Sequence, residues 1–298
     1  MCENVVHGTE HDHENRKNGR MCLQSSTMSE HIEITPEIIE IRHYLHAHPE
    51  RSFKEYETSA YIEKLLRAHD IEVLNNPLET GVVGLIRGDQ PGPRIALRAD
   101  IDGLPIQEDT GLPFSSVNDG VMHGCGHDMH TAMVLGAAKL LKEHEDEIEG
   151  TVKLEFQPAE EIFQGSLDMI NSGLLENPKV DAAMAIHIFS TTPVGQVTYC
   201  SGVASSSLDT FAIHIQGKGG HSSTPDLCVD PIMIANQIYT ALNMLMTREV
   251  SPQAVATLSG GVMRSGTAVN IIPDTADLQV GLRTYNVEAR KHVLERLP

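Results

Sequence analysis

The chain has 298 residues, with 22 Lys and Arg against 41 Asp and Glu, a formal net charge of −19 at pH 7. So acidic a chain excludes nucleic acid and anionic membrane as partners, since both would repel it. No run of about 18 apolar residues occurs, so no membrane span is expected, and the polar start MCENVVHGTEHDHENRKNGR lacks the apolar core of a secretory signal. The length suggests two domains, each with its own core. Five cysteines (Cys2, Cys22, Cys125, Cys200 and Cys228) are odd in number, scattered and without a CxxC pair. That usage fits a reducing, cytoplasmic setting with free or metal-bound thiols.

Residues 1–34 are polar, His-rich and aperiodic, and are expected to form a disordered extension. They include His7-Gly-Thr-Glu10-His11, which matches an H-x-x-E-H metalloprotease pattern, but that pattern needs a helix and Gly8, Asn15, Asn18 and Gly19 do not support one. Thr35 as cap, Pro36 in the first turn and Ile38, Ile39, Ile41 and Leu45 predict a helix ending before Pro49. His43, His46 and His48 are expected there as surface or packing residues. Tyr61, Ile62, Leu65 and Leu66 form the stripe of a second helix over 56–68. A short apolar strand over 94–97 runs into Arg98-Ala-Asp100-Ile-Asp102-Gly.

The stretch 121–130, VMHGCGHDMH, is the densest in metal-binding and proton-transferring groups: His123, Cys125, His127, Asp128, His130 and, weakly, Met122. Cys125 and His127, at i and i+2, share a side only on extended backbone, and Gly124 and Gly126 allow close approach. A helix pattern follows from Thr131, with Met133, Ala137, Leu140 and Leu141 on one face. A thiol, imidazoles and a carboxylate packed this tightly before a helix suggest a site for zinc or another borderline metal. Residues 151–157 alternate as a strand through Val152, Leu154 and Phe156 into Pro158-Ala-Glu160-Glu161, and the run 180–188 reads as a strand buried on both faces that carries His187. Strands alternating with helices predict an α/β domain with a mainly parallel sheet, whose strand ends deliver Asp100 and Asp102, Glu160 and Glu161, and His187 to one rim.

From about Ser205 the pattern changes to strand, helix, strand, strand, helix: 211–216, a helix opened by Asp230 and Pro231, 254–259, 274–283, and a helix from about Val287. That is a split βαβ (ferredoxin-like) order lacking its last strand. The expected division is therefore an extension over 1–34, a metal-binding domain over 35–204 and a smaller α+β domain over 205–298. Four donors, Cys125, His127, Glu161 and His187, are too few for two full metal shells, so a further ligand is expected. Glu160, beside a ligand but free, suits a general base in metal-assisted hydrolysis of an amide.

The segments RADIDGLPIQE, MHGCGHDMHTA, FQPAEE, the AIH that ends in His187, GKGGHSSTPDLCVDPI and VNIIPD resemble the aminoacylase/carboxypeptidase-type metal amidohydrolases. The branch resembled holds hippurate hydrolases, N-acyl-amino acid deacylases and auxin–amino acid conjugate hydrolases, and the likeness runs from about Ile38 to the end. It implies a zinc-exopeptidase-like catalytic domain with a lid that makes a homodimer. Two divalent ions (Zn, Mn, Co or Ni) and an N-acyl amino acid substrate are implied with it. By the same resemblance Cys125 bridges the metals, His127, Glu161 and His187 are ligands and Glu160 is the base. Asp102 would orient a ligand, His221 in the lid would stabilise the oxyanion, and Asn270 would hold the substrate carboxylate. Two departures stand out. Relatives carry a second His after Pro where this chain has Asp226, and their last metal ligand is a His in a returning C-terminal segment beyond Pro298. The chain as given is therefore expected to be impaired or inactive. A non-catalytic metal-binding protein and a dipeptidase of the same superfamily are the alternatives; Cys125 argues against the dipeptidase, where Asp is usual.

Overall fold

The structure, a computed structural model, describes residues 20–23 and 36–297. The expected N-terminal extension and its His7–His11 pattern lie outside the described residues, apart from a short strand β1 (Arg20–Leu23). Two compact units divide the chain, the first lying within 25–195 and the second joining β1 to the residues from Gln196 onward. The first unit runs α1 (Pro36–Ala47), α2 (Tyr56–Ala68), β2 (Glu72–Val73), β3 (Val82–Arg87), β4 (Gln90–Asp100), α3 (His127–Glu143), β5 (Glu149–Gln157), α4 (Gly165–Asn171) and β6 (Ala182–Ala185). Its five strands lie in the order β2-β3-β5-β4-β6. β4 is parallel to β5 and β6, whereas β3 is antiparallel to β2 and β5. The sheet is thus mixed, which corrects the expectation of a mainly parallel one. The reason is local: β2, β3 and β4 follow one another with no helix between them, so no crossover enforces parallel pairing.

β3 and β4 are consecutive, yet β5 lies between them. The chain must pass the end of β5 at close quarters, and glycines make this possible. A Cβ on Gly88 would lie 1.9 Å from the Ile148 carbonyl oxygen, and one on Gly150 would lie 2.0 Å from that of Pro93. Gly150 also has a φ of +103°, where side chains are disfavoured.

Alternation along β5 sends Leu154 and Phe156 into a core built with Ile41 and Leu45 of α1, Ile62 and Leu66 of α2, and Ala132 and Leu135 of α3. Lys153, Glu155 and Gln157 point to the other face and are buried as well. Lys153 Nζ donates to the carbonyls of Leu174 and Pro178, the latter at 2.9 Å. Burial lowers its pKa from the ordinary lysine value. Leu154 is 0% exposed at the centre of this core. Leu154→Ala should cost about 2–5 kcal/mol in urea unfolding, through lost transfer energy and an unfilled cavity. A cost well under about 1 kcal/mol would mean that the layer collapses around the gap.

The run 180–188 departs from expectation. Only Ala182–Ala185 is strand, it pairs with β4 alone, and all four residues are exposed. An apolar run does not by itself distinguish a buried strand from an edge strand.

In the second unit β7 (Val197–Cys200) pairs antiparallel with β1. There follow β8 (Ser207–Gln216), β9 (Gly220–His221), α5 (Pro231–Arg248), β10 (Ala256–Ser265), β11 (Ile271–Ile272), β12 (Thr275–Thr284) and α6 (Val287–Arg296). β10, β12 and β8 form an antiparallel sheet in that order. Asp230 caps α5, its Oδ1 accepting from Ile232 N at 2.9 Å, with Pro231 in the first turn. The helix packs Ala235 and Leu242 against Ile215, Leu258, Leu278 and Val280 of the sheet.

Candidate metal centre

The Cys125–His127 stretch is not an extended pair. Gly126 has a φ of 86° and caps α3, which starts at His127, four residues before the expected Thr131. A left-handed turn is what brings the thiol and the imidazole together. A Cβ on Gly126 would lie 2.3 Å from Ile188 Cδ1, so this turn also seats the segment that carries His187.

Three chain segments then meet. Cys125 Sγ lies 3.4 Å from His187 Nε2. His127 Nε2 lies 3.7 Å from Glu161 Oε1 and 3.9 Å from Glu160 Oε2. Cys125, His127 and His187 form one set with donor atoms within 4.8 Å of one another, and His127, Glu160 and Glu161 form a second. The structure therefore brings together all five residues that the sequence assigns to the metal and the base.

The hydrogen bonds fix how each imidazole is presented. His127 Nδ1 donates to the Asp102 carbonyl at 2.8 Å and to Asp102 Oδ1 at 3.2 Å. His187 Nδ1 donates to the Ile188 carbonyl at 2.6 Å. Each ring turns its Nε2 inward, as a ligating histidine does. His127 Nε2 and Glu161 Oε1 are buried and have no hydrogen-bond partner. A divalent cation fits these orphaned atoms and a donor set of sulfur, nitrogen and carboxylate oxygen.

Asp102 joins two of the donors. Its Oδ2 accepts from Ser52 Oγ at 2.7 Å and from the Glu161 amide at 3.1 Å. Burial would raise its pKa, but the bonds from His127, Ser52 and Glu161 outweigh burial and lower it. Burial also disfavours charging His127, yet the carboxylates of Asp102, Asp100 and Glu161 hold that imidazole above its ordinary range. Burial, Glu161, Glu160 and Asp100 together push the Cys125 thiol up to about 12. Burial and the Asp100 carboxylate raise Glu160. Burial first and the neighbouring carboxylates second raise both Cys125 and Glu160, and a bound cation would reverse the cost to the thiolate.

Glu55, outside the expected set, and Asp100, expected at the rim without a role, complete the surroundings. Glu55 is 0% exposed, and its Oε1 accepts from the Ala159 amide at 2.8 Å. Ala159 has a φ of +50°, so this bond holds a left-handed turn directly before Glu160. No sequence motif marks Glu55. Asp100 bonds His130 and Arg98, at 2.6 and 2.8 Å. Its place two residues before Asp102, on the same face of the strand end, was the available signal. Of the helix-1 histidines, His46 is buried between Asp128, at 2.8 Å, and Glu108, at 3.3 Å.

In the second unit the pairing of β9 with β11 sets His221 opposite Ile271, and the Ser222 amide donates to the Asn270 carbonyl at 3.1 Å. His221 Nδ1 accepts from the Ser223 amide at 3.2 Å, which leaves Nε2–H as a donor on an exposed ring. His221 and Asn270 are thus neighbours.

Sulfur, imidazole and carboxylate donors thus surround a half-buried glutamate at the end of a mixed α/β sheet, a donor set that suits a divalent metal. Residues 96–293 match the peptidase family M20/M25/M40, and the chain belongs to that family. It is 43% identical over 260 residues to the N-acetyl-L-cysteine deacetylase of Bacillus subtilis (strain 168), covering 87% of this chain and 62% of the relative. It is 38% identical to the N-acyl-L-amino acid amidohydrolase of Geobacillus stearothermophilus, covering 88% and 70%. Among solved structures it resembles a dinuclear metal-binding M20 peptidase of Bacillus subtilis, with a TM-score of 0.72, 41% identity and coverage of 87% and 67%. The chain spans less than two thirds of the length of that deacetylase.

Proposed function

We propose that the chain carries the metal-dependent amidohydrolase centre for N-acyl amino acids, cleaving them to a carboxylic acid and an amino acid. The observation that carries this reading is the meeting of Cys125, His187, His127, Glu160 and Glu161, with both imidazoles turned to the same space. The names of two relatives, a deacetylase and an amidohydrolase of N-acyl amino acids, support the substrate class.

Cys125, His127, Glu161 and His187 are the residues that would hold divalent ions, Zn, Mn, Co or Ni, with Asp102 orienting His127. Bound there, the ions would polarise the amide carbonyl and acidify water. Glu160 takes the proton of the attacking water and returns it to the leaving nitrogen as the C–N bond breaks. One water is consumed, and the products are the acid and the amine. His221 donates Nε2–H to the developing oxyanion, and Asn270, its neighbour, binds the substrate carboxylate. In this reading the domain over 205–298 acts as lid and homodimer surface, and 35–204 is catalytic.

Four donors are too few for two complete shells. Fewer than two ions per chain and weak turnover are therefore expected, with metal analysis and a panel of N-acyl amino acids as the test. Bound metal with no turnover on any of them would favour a non-catalytic metal-binding protein. Full turnover at two ions per chain would refute the donor count.

A further inference from the structure

His130 is rich in possible roles. With Asp100 and His127 it forms a third set whose potential ligand atoms lie within 4.8 Å of one another. It is 2% exposed, one turn into α3, whose inner face is packed in the core. Its two nitrogens are both engaged. Nδ1 donates to Asp100 Oδ1 at 2.6 Å, and Nε2 accepts the Ile188 N–H at 3.0 Å. No lone pair is left for a cation. Asp100 is itself fixed from its other oxygen by Arg98, at 2.8 Å.

The Ile188 backbone is the consequential partner. Its amide is held by His130, and its carbonyl accepts from His187 Nδ1 at 2.6 Å. One residue, Ile188, therefore links the two rings through its amide and its carbonyl, and the ring centroids lie 4.5 Å apart. His187 needs such a tether. It lies beyond the end of β6, on an exposed edge, in a stretch with no helix or strand. A donor on such backbone is aimed only by what grips it.

We propose that His130 is a positioning residue and not a ligand: held by Asp100, it grips the Ile188 amide and thereby aims His187 Nε2 at the cation site. The inference rests on the metal reading above and adds a residue to it. Glutamine can reproduce the grip, because its amide group accepts through oxygen and donates through nitrogen. Alanine cannot.

The test uses Co(II) titrated into the purified chain after chelation, together with hydrogen exchange of the Ile188 amide. His130→Ala should weaken Co(II) binding by about 10–100-fold, as loss of a ligand's supporting partner does, and should speed exchange at Ile188. His130→Gln should keep both near those of the unsubstituted chain. Unchanged Co(II) affinity in the alanine variant would overturn the proposal. So would a glutamine variant as weak as alanine, because that is the behaviour of a lost ligand. If the alanine variant fails to fold, the glutamine variant decides by the same criterion. Absence of Co(II) binding by the unsubstituted chain would overturn the metal reading itself, which separates the two failures.

Discussion

Glu160→Gln is expected to leave the metal content unchanged and to lower turnover by about 10²–10⁴-fold, the usual worth of a positioned general base. Glutamine keeps the shape and cannot take a proton. Burial and the facing Asp100 raise the Glu160 pKa above the ordinary carboxylate value. Glu161→Gln should behave differently and lower the metal content first. Its Oε1 is buried and unpartnered, 3.7 Å from His127 Nε2. Metal analysis and initial rates on an N-acyl amino acid, run on both variants, check this. Identical behaviour of the two would remove the division between base and ligand.

Cys125→Ala should lose most bound metal while the metal-free fold survives. The thiol lies at a loop before α3 and belongs to none of the hydrophobic clusters of this unit. Its pKa of about 12 in the metal-free site means that taking up a cation must expel a proton from sulfur. Metal affinity of the unsubstituted chain should therefore rise with pH through the neutral range. The slope should be about one proton shallower in Cys125→Ala. Equal slopes and equal metal content in the two proteins would show that the sulfur is a structural thiol.

The parts of the site that are legible in the sequence are those in which one residue carries the chemistry. Cys125, His127, Glu160, Glu161 and His187 are donor types that the segment ends bring forward, and the structure places them together. The helices over 36–47 and 56–68 and the inward residues of β5 follow from apolar periodicity, which tertiary packing here reinforces. What escapes is set by pairing and by second partners. β2 and β3 have no counterpart among the expectations, because antiparallel pairing next to a parallel pair leaves no mark in a single run of residues. The left-handed Gly126, which marks the true start of α3, packs against Ile188, far along the chain. Glu55 and Asp100 act through Ala159 and His130, and neither partnership is visible before the fold is known.

The placement of β5 between β3 and β4 has a consequence for how the protein is made. As the chain emerges from its N-terminus, β3 and β4 appear first and cannot complete the sheet, because the position between them is reserved for a strand not yet synthesised. β3 has only the two-residue β2 to lean on until Thr151 and its successors arrive. During that interval the nascent chain exposes open strand edges, the kind of surface that chaperones shield. Glu160 and Glu161 directly follow β5, and His187 comes later still. The candidate donors are therefore complete only after the strand that closes the sheet has been synthesised.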